Sequence, residues 1–246
     1  MDIIKFCLLL CENSYKEEDA LLEIYKEKDL NILREKNARG LSVEYDNDLY
    51  ICWSGLADTK EFLKNFMDYN NNHKEDTVFN NNICGKVHEC FFEYYSKLRN
   101  KTMNIVKTFL NNNGSKDKRI YFVGYSLGAS ILLSALEIKL LLTDINTEIF
   151  TITFGSPKLG NKKFSKIFNA LIDNSLRFYD SDDIVCTYPI EYGYYHVNKG
   201  LDIKENKKYS WLRLLWRWIS CLKRTKRSVE YYVKQHTIEN YKNKMI

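Results

Sequence analysis

Ser126 stands in Gly124-Tyr125-Ser126-Leu127-Gly128, a G-x-S-x-G run. A β-rich stretch, Ile120–Val123, precedes it, and an apolar run of helix length broken by Ser134, Glu137 and Lys139 follows. Strand, sharp turn and helix is the context that lifts a serine hydroxyl out of a sheet as a nucleophile. The glycines leave room where strand and helix nearly touch, since a Cβ at 124 or 128 would meet the neighbouring element. A serine hydroxyl attacks a carbonyl poorly until a base takes its proton, and that base needs a carboxylate to hold its tautomer. If the order Ser, acid, His that accompanies this turn holds, both partners must follow Ser126.

The chain has four histidines: His73, His88, His196 and His236. The first two precede the serine and break that order. His196 lies in the aromatic run Tyr192-Gly-Tyr-Tyr-His-Val, which reads as a partly buried strand and makes it a hydrogen-bonded structural residue. His236 lies in a polar Lys-Gln-His-Thr stretch at the start of a final helix, where a loop can aim it at the site, and is the expected base. The acid should follow a strand. Asp180, Asp182 and Asp183 all follow Leu176–Tyr179, and local physics does not separate them.

The elements that position these residues come next. A chain of 246 residues fits one α/β domain with a substantial core, and its 45% hydrophobic and 28% charged content is ordinary for a globular protein. The net charge of +5 is modest and much of the excess base sits in one late segment, so no nucleic-acid surface is implied. Seven scattered cysteines, with no C-x-x-C pair and no histidines grouped among them, speak against a zinc site and read as reduced thiols. The apolar start, Ile3 to Cys11, lacks the positive flank and cleavage site of a secretion signal and reads as a helix packed on the domain. No run approaches the roughly 20 apolar residues needed to cross a bilayer. An intracellular protein, cytoplasmic or peripheral to a membrane, is the expectation.

Residues 3–36 are predicted helical, within an N-terminal segment 1–40. Leu41–Tyr45 and Leu49–Trp53 read as a hairpin about Asp46-Asn47-Asp48. Asp58-Thr-Lys-Glu61 is a capping box for a short helix with Phe62, Leu63, Phe66 and Met67 on one face, flanked by Asn-rich segments. That is the pattern of a mobile lid over a site, or of a docked surface helix. Lys86–Asn111 reads as helix. Glu148–Phe154 reads as a second buried strand, 162–172 as helix and Leu176–Tyr179 as a third strand. Strands alternating with helices give a mostly parallel sheet flanked by helices, with chemistry at the carboxyl ends of its strands.

With these residues in place, the stretch from about Leu41 to Tyr241 resembles the fungal-type, or class 3, triacylglycerol lipases, an α/β-hydrolase family. Lys86-Val87-His88-Glu-Cys90-Phe91 is similar to the family's K-V-H-x-G-F, and Gly-Tyr-Ser-Leu-Gly-Ala129 to its G-H-S-L-G-(G/A)-A. Thr153–Asn161 resembles T-F-G-x-P-R-V-G-N, and Arg177 through Val185 resembles R-V-x-x-x-x-D-(I/P)-V. Tyr192–Val197 matches G-Y-x-H-V, and His236-Thr-Ile-Glu-Asn-Tyr241 matches H-x-x-x-x-Y. The resemblance implies an α/β-hydrolase fold over 1–246 and a triad of Ser126, Asp183 and His236. It also implies an oxyanion hole from the backbone N–H groups of Leu127 and Leu56, a lipid ester substrate met at an interface, and no metal or other cofactor. Phospholipase A1-type activity on the same triad, or an inactive lipid- or protein-binding relative, are the alternatives. The chain departs from the family where Ser54-Gly55-Leu56 replaces R-G-(T/S), losing a side-chain donor. Tyr125 replaces the usual His, and Cys90 and Cys186 replace common Gly and Pro.

A basic, Trp-rich insertion fills 203–230. At helical spacing Arg213, Arg217, Ser220, Arg224 and Arg227 share one face, opposite Trp211, Leu214, Leu215, Trp218, Cys221 and Leu222. Apolar bulk and cations segregated in this way suit an interfacial helix, so Trp211, Trp218, Arg213 and Arg217 are candidate membrane contacts. A core-docked helix with an exposed basic stripe is the alternative.

Overall fold

Asp46 and Asn47 both take left-handed backbone angles (φ 53° and 64°), the signature of a two-residue turn whose twist matches that of the strands it joins. It closes a hairpin between β2 (Ala38–Tyr45) and β3 (Asp48–Trp53). This hairpin belongs to the larger of two sheets in a computed structural model that describes residues 2–56, 76–80, 83–112, 118–141, 147–189, 193–204 and 234–245. The predicted lid residues Phe62, Phe66 and Met67, and the predicted membrane contacts Trp211, Trp218, Arg213 and Arg217, lie outside the described residues.

The segment predicted as one helix over 3–36 is instead α1 (Ile3–Asn13), α2 (Glu18–Ile24) and strand β1 (Leu30–Glu35). β1 pairs antiparallel with β2 along its whole length, from Leu30 opposite Val43 to Glu35 opposite Ala38. That hairpin pairing, closed by a two-residue turn at Lys36-Asn37, overrides the charge-rich, helix-like look of its sequence. Two short strands follow, β4 (Thr77–Val78) and β5 (Lys86–Val87), and then α3 (Glu89–Asn111). His88 caps α3, its Nδ1 accepting from the Cys90 N–H at 3.3 Å.

Strand β6 (Arg119–Tyr125), the turn at Ser126 and helix α4 (Ile131–Leu141) come next. β7 (Glu148–Phe154), the short β8 (Gly160–Asn161), α5 (Lys162–Leu171) and β9 (Asn174–Tyr179) continue the alternation. β10 (Tyr194–Tyr195), β11 (Gly200–Asp202) and α6 (Ile238–Met245) complete the described elements.

The large sheet runs β1-β2-β3-β6-β7-β9-β11, with every pairing from β3 onward parallel. Helices cover both faces. Phe91, Leu98, Leu133 and Phe164 of α3, α4 and α5 pack with Phe122 on one side, and Phe6, Leu10 and Tyr241 of α1 and α6 pack with Val123 and Phe154 on the other. Coverage on both faces is why β6 reads as an unbroken apolar run and is buried from Ile120 to Tyr125. Among the described residues no helix is long and apolar enough to cross a membrane.

Candidate active site

Ser126 follows the last residue of β6 and opens a 3-10 turn, Ser126–Ser130, that leads into α4. Its φ of 57° is left-handed, a conformation that costs a non-glycine residue free energy and is tolerated where the surroundings enforce it. The enforcement is steric. A Cβ on Gly128 would lie 2.0 Å from the Trp53 carbonyl oxygen, and one on Gly124 would lie 2.7 Å from that of Gly128. Only glycine at both positions lets β3, β6 and the turn close on one another.

The Ser126 Oγ lies 2.7 Å from His236 Nε2, and His236 Nδ1 lies 2.6 Å from Asp183 Oδ2. His236 and Asp183 are fully buried and Ser126 nearly so. Asp183 follows β9 and caps the 3-10 turn Ile184–Thr187, its Oδ1 accepting from the Val185 N–H at 2.9 Å. His236 sits just before α6, in the polar stretch that the sequence placed at the start of the final helix. Tyr241, within α6, donates its hydroxyl to Asp183 Oδ2 at 2.7 Å. Tyr125 stacks on the imidazole (centroids 5.3 Å apart, planes at 18°) and donates its hydroxyl to the His236 carbonyl oxygen. Gly155, at the end of β7 with φ of 60°, leaves the ring its space, since a Cβ there would come within 3.0 Å of His236 Cε1 and 3.2 Å of Asp183 Oδ2.

The neighbouring acids take other work. Asp180 is buried, and burial pulls its carboxyl upward, but Lys244, the Asp182 N–H, Asn240 and Lys204 together carry it below the ordinary range. Asn240 Nδ2 donates to it at 2.9 Å and Lys244 pairs with it, so Asp180 fastens α6 to the end of β9. Asp182 pairs with Lys204. His196 is engaged elsewhere: its Nε2 lies 2.8 Å from the Cys186 carbonyl oxygen, to which it donates. Burial above all, then Arg177 and Lys158, push its pKa down to about 3.

Beside the serine runs the end of β3. A Cβ on Gly55 would lie 2.8 Å from Ser126 Cβ, which places the Gly55 backbone beside Ser126, while Leu127 follows the serine within the 3-10 turn. Two tyrosines hold the Ser54–Gly55 backbone. Tyr94 of α3 donates to the Ser54 carbonyl oxygen at 2.6 Å and accepts from the Arg39 N–H at 3.1 Å. Tyr15, just past α1, accepts from the Gly55 N–H, and its pKa is raised chiefly by burial. Sequence reasoning missed Tyr15, Tyr94 and Gly155. Gly155 stands in the T-F-G-x-P stretch without a role that its neighbours reveal, and nothing local marks Tyr15 or Tyr94, because each acts on an element far away in the chain.

Solved structures share this arrangement of elements. A triacylglycerol lipase whose catalytic centre is described as a serine protease triad has a TM-score of 0.66 at 20% identity, over 83% of this chain and 80% of that one. The lipase of Rhizopus microsporus var. chinensis gives 0.63 at 19% identity, over 83% and 76%. The triacylglyceride lipase of Rhizomucor miehei gives 0.60 at 20% identity, over 83% and 80%. Identities this low carry likeness of fold alone, and the fold is that of the α/β hydrolases. In sequence, the chloroplastic phospholipase A(1) DAD1 of Arabidopsis thaliana is 27% identical over 151 residues, 58% of this chain and 34% of the relative. This chain therefore spans about a third of that relative's length. The family model Lipase (class 3) matches residues 50–193, from within β3, across the Ser126 turn and Asp183, to just before β10. With more than half of its length matched in this way, the chain belongs to the class 3 lipase family.

Proposed function

We propose that the protein hydrolyses carboxylic esters of lipids, acylglycerols in the first place, with Ser126 as nucleophile, His236 as general base and acid, and Asp183 as the group that orients His236. The observation that carries this reading is the continuous buried line Ser126 Oγ–His236 Nε2 and His236 Nδ1–Asp183 Oδ2, at 2.7 and 2.6 Å. As Oγ adds to the ester carbonyl, Nε2 takes its proton, and Asp183 stabilises the resulting imidazolium. The tetrahedral oxyanion is held by the N–H groups of Leu127 and Leu56. On collapse His236 returns the proton to the leaving alcohol, and an acyl group remains on Ser126. A water molecule, deprotonated by His236, then attacks the acyl-serine and releases the fatty acid. Every step uses side chains and backbone of this chain, and none calls for a metal. Leu56 offers no hydroxyl to the oxyanion, and one donor of this kind supports about 3–4 kcal/mol of transition-state stabilisation. Turnover below that of relatives with Ser or Thr there is the consequence.

A fluorophosphonate probe tests the reading. It should label Ser126 and lose its target in Ser126→Ala, and a short soluble ester should be cleaved by the parent only. An unlabelled Ser126 in a folded protein would indicate an inactive relative. The Arabidopsis relative favours a second reading, phospholipase A1-type cleavage by the same three residues. A panel of neutral glycerides and phospholipids of matched acyl chains separates the two by the head group preferred.

A further inference from the structure

Cys186 lies in the 3-10 turn that Asp183 caps. Its Sγ donates to Asp183 Oδ2 at 3.4 Å and lies 3.6 Å from the Tyr241 hydroxyl. The same Oδ2 accepts from His236 Nδ1 at 2.6 Å and from Tyr241 at 2.7 Å. Three donors thus converge on one carboxylate oxygen, while Oδ1 takes the Val185 N–H. We propose that the Cys186 thiol is a positioning residue that sets the basicity of Asp183 and, through it, the proton affinity of His236. The inference rests on the proposed roles of Asp183 and His236.

The physical chain is short. Each donor draws negative charge away from Oδ2, and a less basic carboxylate stabilises the imidazolium less. A thiol is a weak donor, so it withdraws less than a hydroxyl and more than a side chain with no donor. Cys186 keeps its proton, because burial, with the Asp183 charge beside it, holds its pKa well above the ordinary thiol range. Its backbone is fixed by the His196 donation to its carbonyl oxygen at 2.8 Å, and Thr187 Oγ1 closes the turn on the Ile184 carbonyl at 2.7 Å.

The other titratable groups around it hold constant charge where a histidine titrates. Arg177 of β9 faces the thiol and stays cationic. Tyr125 on the far side of the imidazole and Tyr241 on Oδ2 are both raised by burial and stay neutral. Asp180, whose N–H donates to the Tyr241 hydroxyl at 3.1 Å, is held ionised by its own partners. His196, with a pKa near 3, stays neutral.

The test compares the parent with Cys186→Ala and Cys186→Ser. Two readouts are followed against pH: the acid limb of kcat/KM for a short soluble ester, and the low-field proton resonance of the His236–Asp183 hydrogen bond. Removing the donor should move both midpoints to higher pH in Cys186→Ala. The stronger hydroxyl donor should move them to lower pH in Cys186→Ser. Each displacement should be several tenths of a pH unit, about a two- to threefold change in proton affinity. An unmoved or lowered midpoint in Cys186→Ala overturns the proposal, as does displacement of both variants in the same direction, which would mark a packing effect. The resonance needs no turnover. Absence of hydrolysis in all three proteins would therefore count against the proposed reaction, while the order of the resonance midpoints still decides the role of Cys186.

Discussion

At Ser126 the backbone is held at φ of 57° while the side chain joins a buried hydrogen-bond chain, so two separable contributions meet on one residue. Ser126→Ala and Ser126→Gly both remove the hydroxyl but differ in backbone freedom. Glycine should therefore be the more stable of the two by about 1 kcal/mol in denaturant unfolding, the reverse of its rank in a helix. Tyr15 invites a different measurement. Its hydroxyl accepts from the Gly55 N–H beside Ser126, the proposed nucleophile, so Tyr15→Phe should lower kcat about tenfold or more with little change in KM, at a stability cost near 1 kcal/mol. His196 gives a pH effect of fixed sign. Its pKa falls from about 6.5 in the unfolded chain to about 3 in the folded one, so between those values the unfolded state holds more protons. Its contribution is intact above pH about 6.5 and is lost as pH drops toward 3. His196→Gln should unfold with a flatter pH dependence across that window, by thermal melts from pH 7 to 4. At this scale the sequence carried Ser126 through its glycines and His236 through its polar setting. Asp183 needed the family resemblance, because three acids follow one strand, two of them are buried, and only folding brings one of them against His236.

Helix α6 is short, and its place is set by what it grips. Asn240 and Lys244 hold Asp180, Tyr241 holds Asp183, and Lys242 pairs with Glu12 of α1 at 2.7 Å. Asp180→Asn keeps the shape and removes the charge that Lys244 and Lys204 answer. The expected outcome is a loss of about 1–3 kcal/mol in stability and a larger fall in turnover, since the helix it anchors begins just after His236. Equal loss from folded and catalytic measurements would instead mark Asp180 as a general stabiliser. Elements with local cues were legible: the Asp46-Asn47 turn, the apolar β6, the β-branched and aromatic β7, and the helix after Asn161, whose side chain caps it at 3.0 Å from the Phe164 N–H. β1 and β11 were not. Both are edge strands, and edge strands are defined by the partner they find rather than by a pattern of their own.

Across the whole molecule, the proposed reacting groups come from distant parts of the chain. The Ser126–His236 contact spans 110 residues and the His236–Asp183 contact 53, while the Glu12–Lys242 pair spans 230. Contacts of such separation form late, because a long loop must be closed before they give any return in free energy. The serine turn depends on the meeting of β3 with β6, which the parallel register from Leu49 opposite Ile120 to Trp53 opposite Gly124 completes, whereas the His236 contact needs α6 docked as well. In refolding from denaturant, far-UV circular dichroism should thus recover before Ser126 regains reactivity toward a fluorophosphonate. Simultaneous recovery would mean that α6 docks as early as the sheet. With the sheet formed first, a nascent or partly folded chain would present its serine strained and buried but without its proposed base. On this view the timing of activity belongs to the last helix to dock, and the enzyme stays inert for as long as its fold is incomplete.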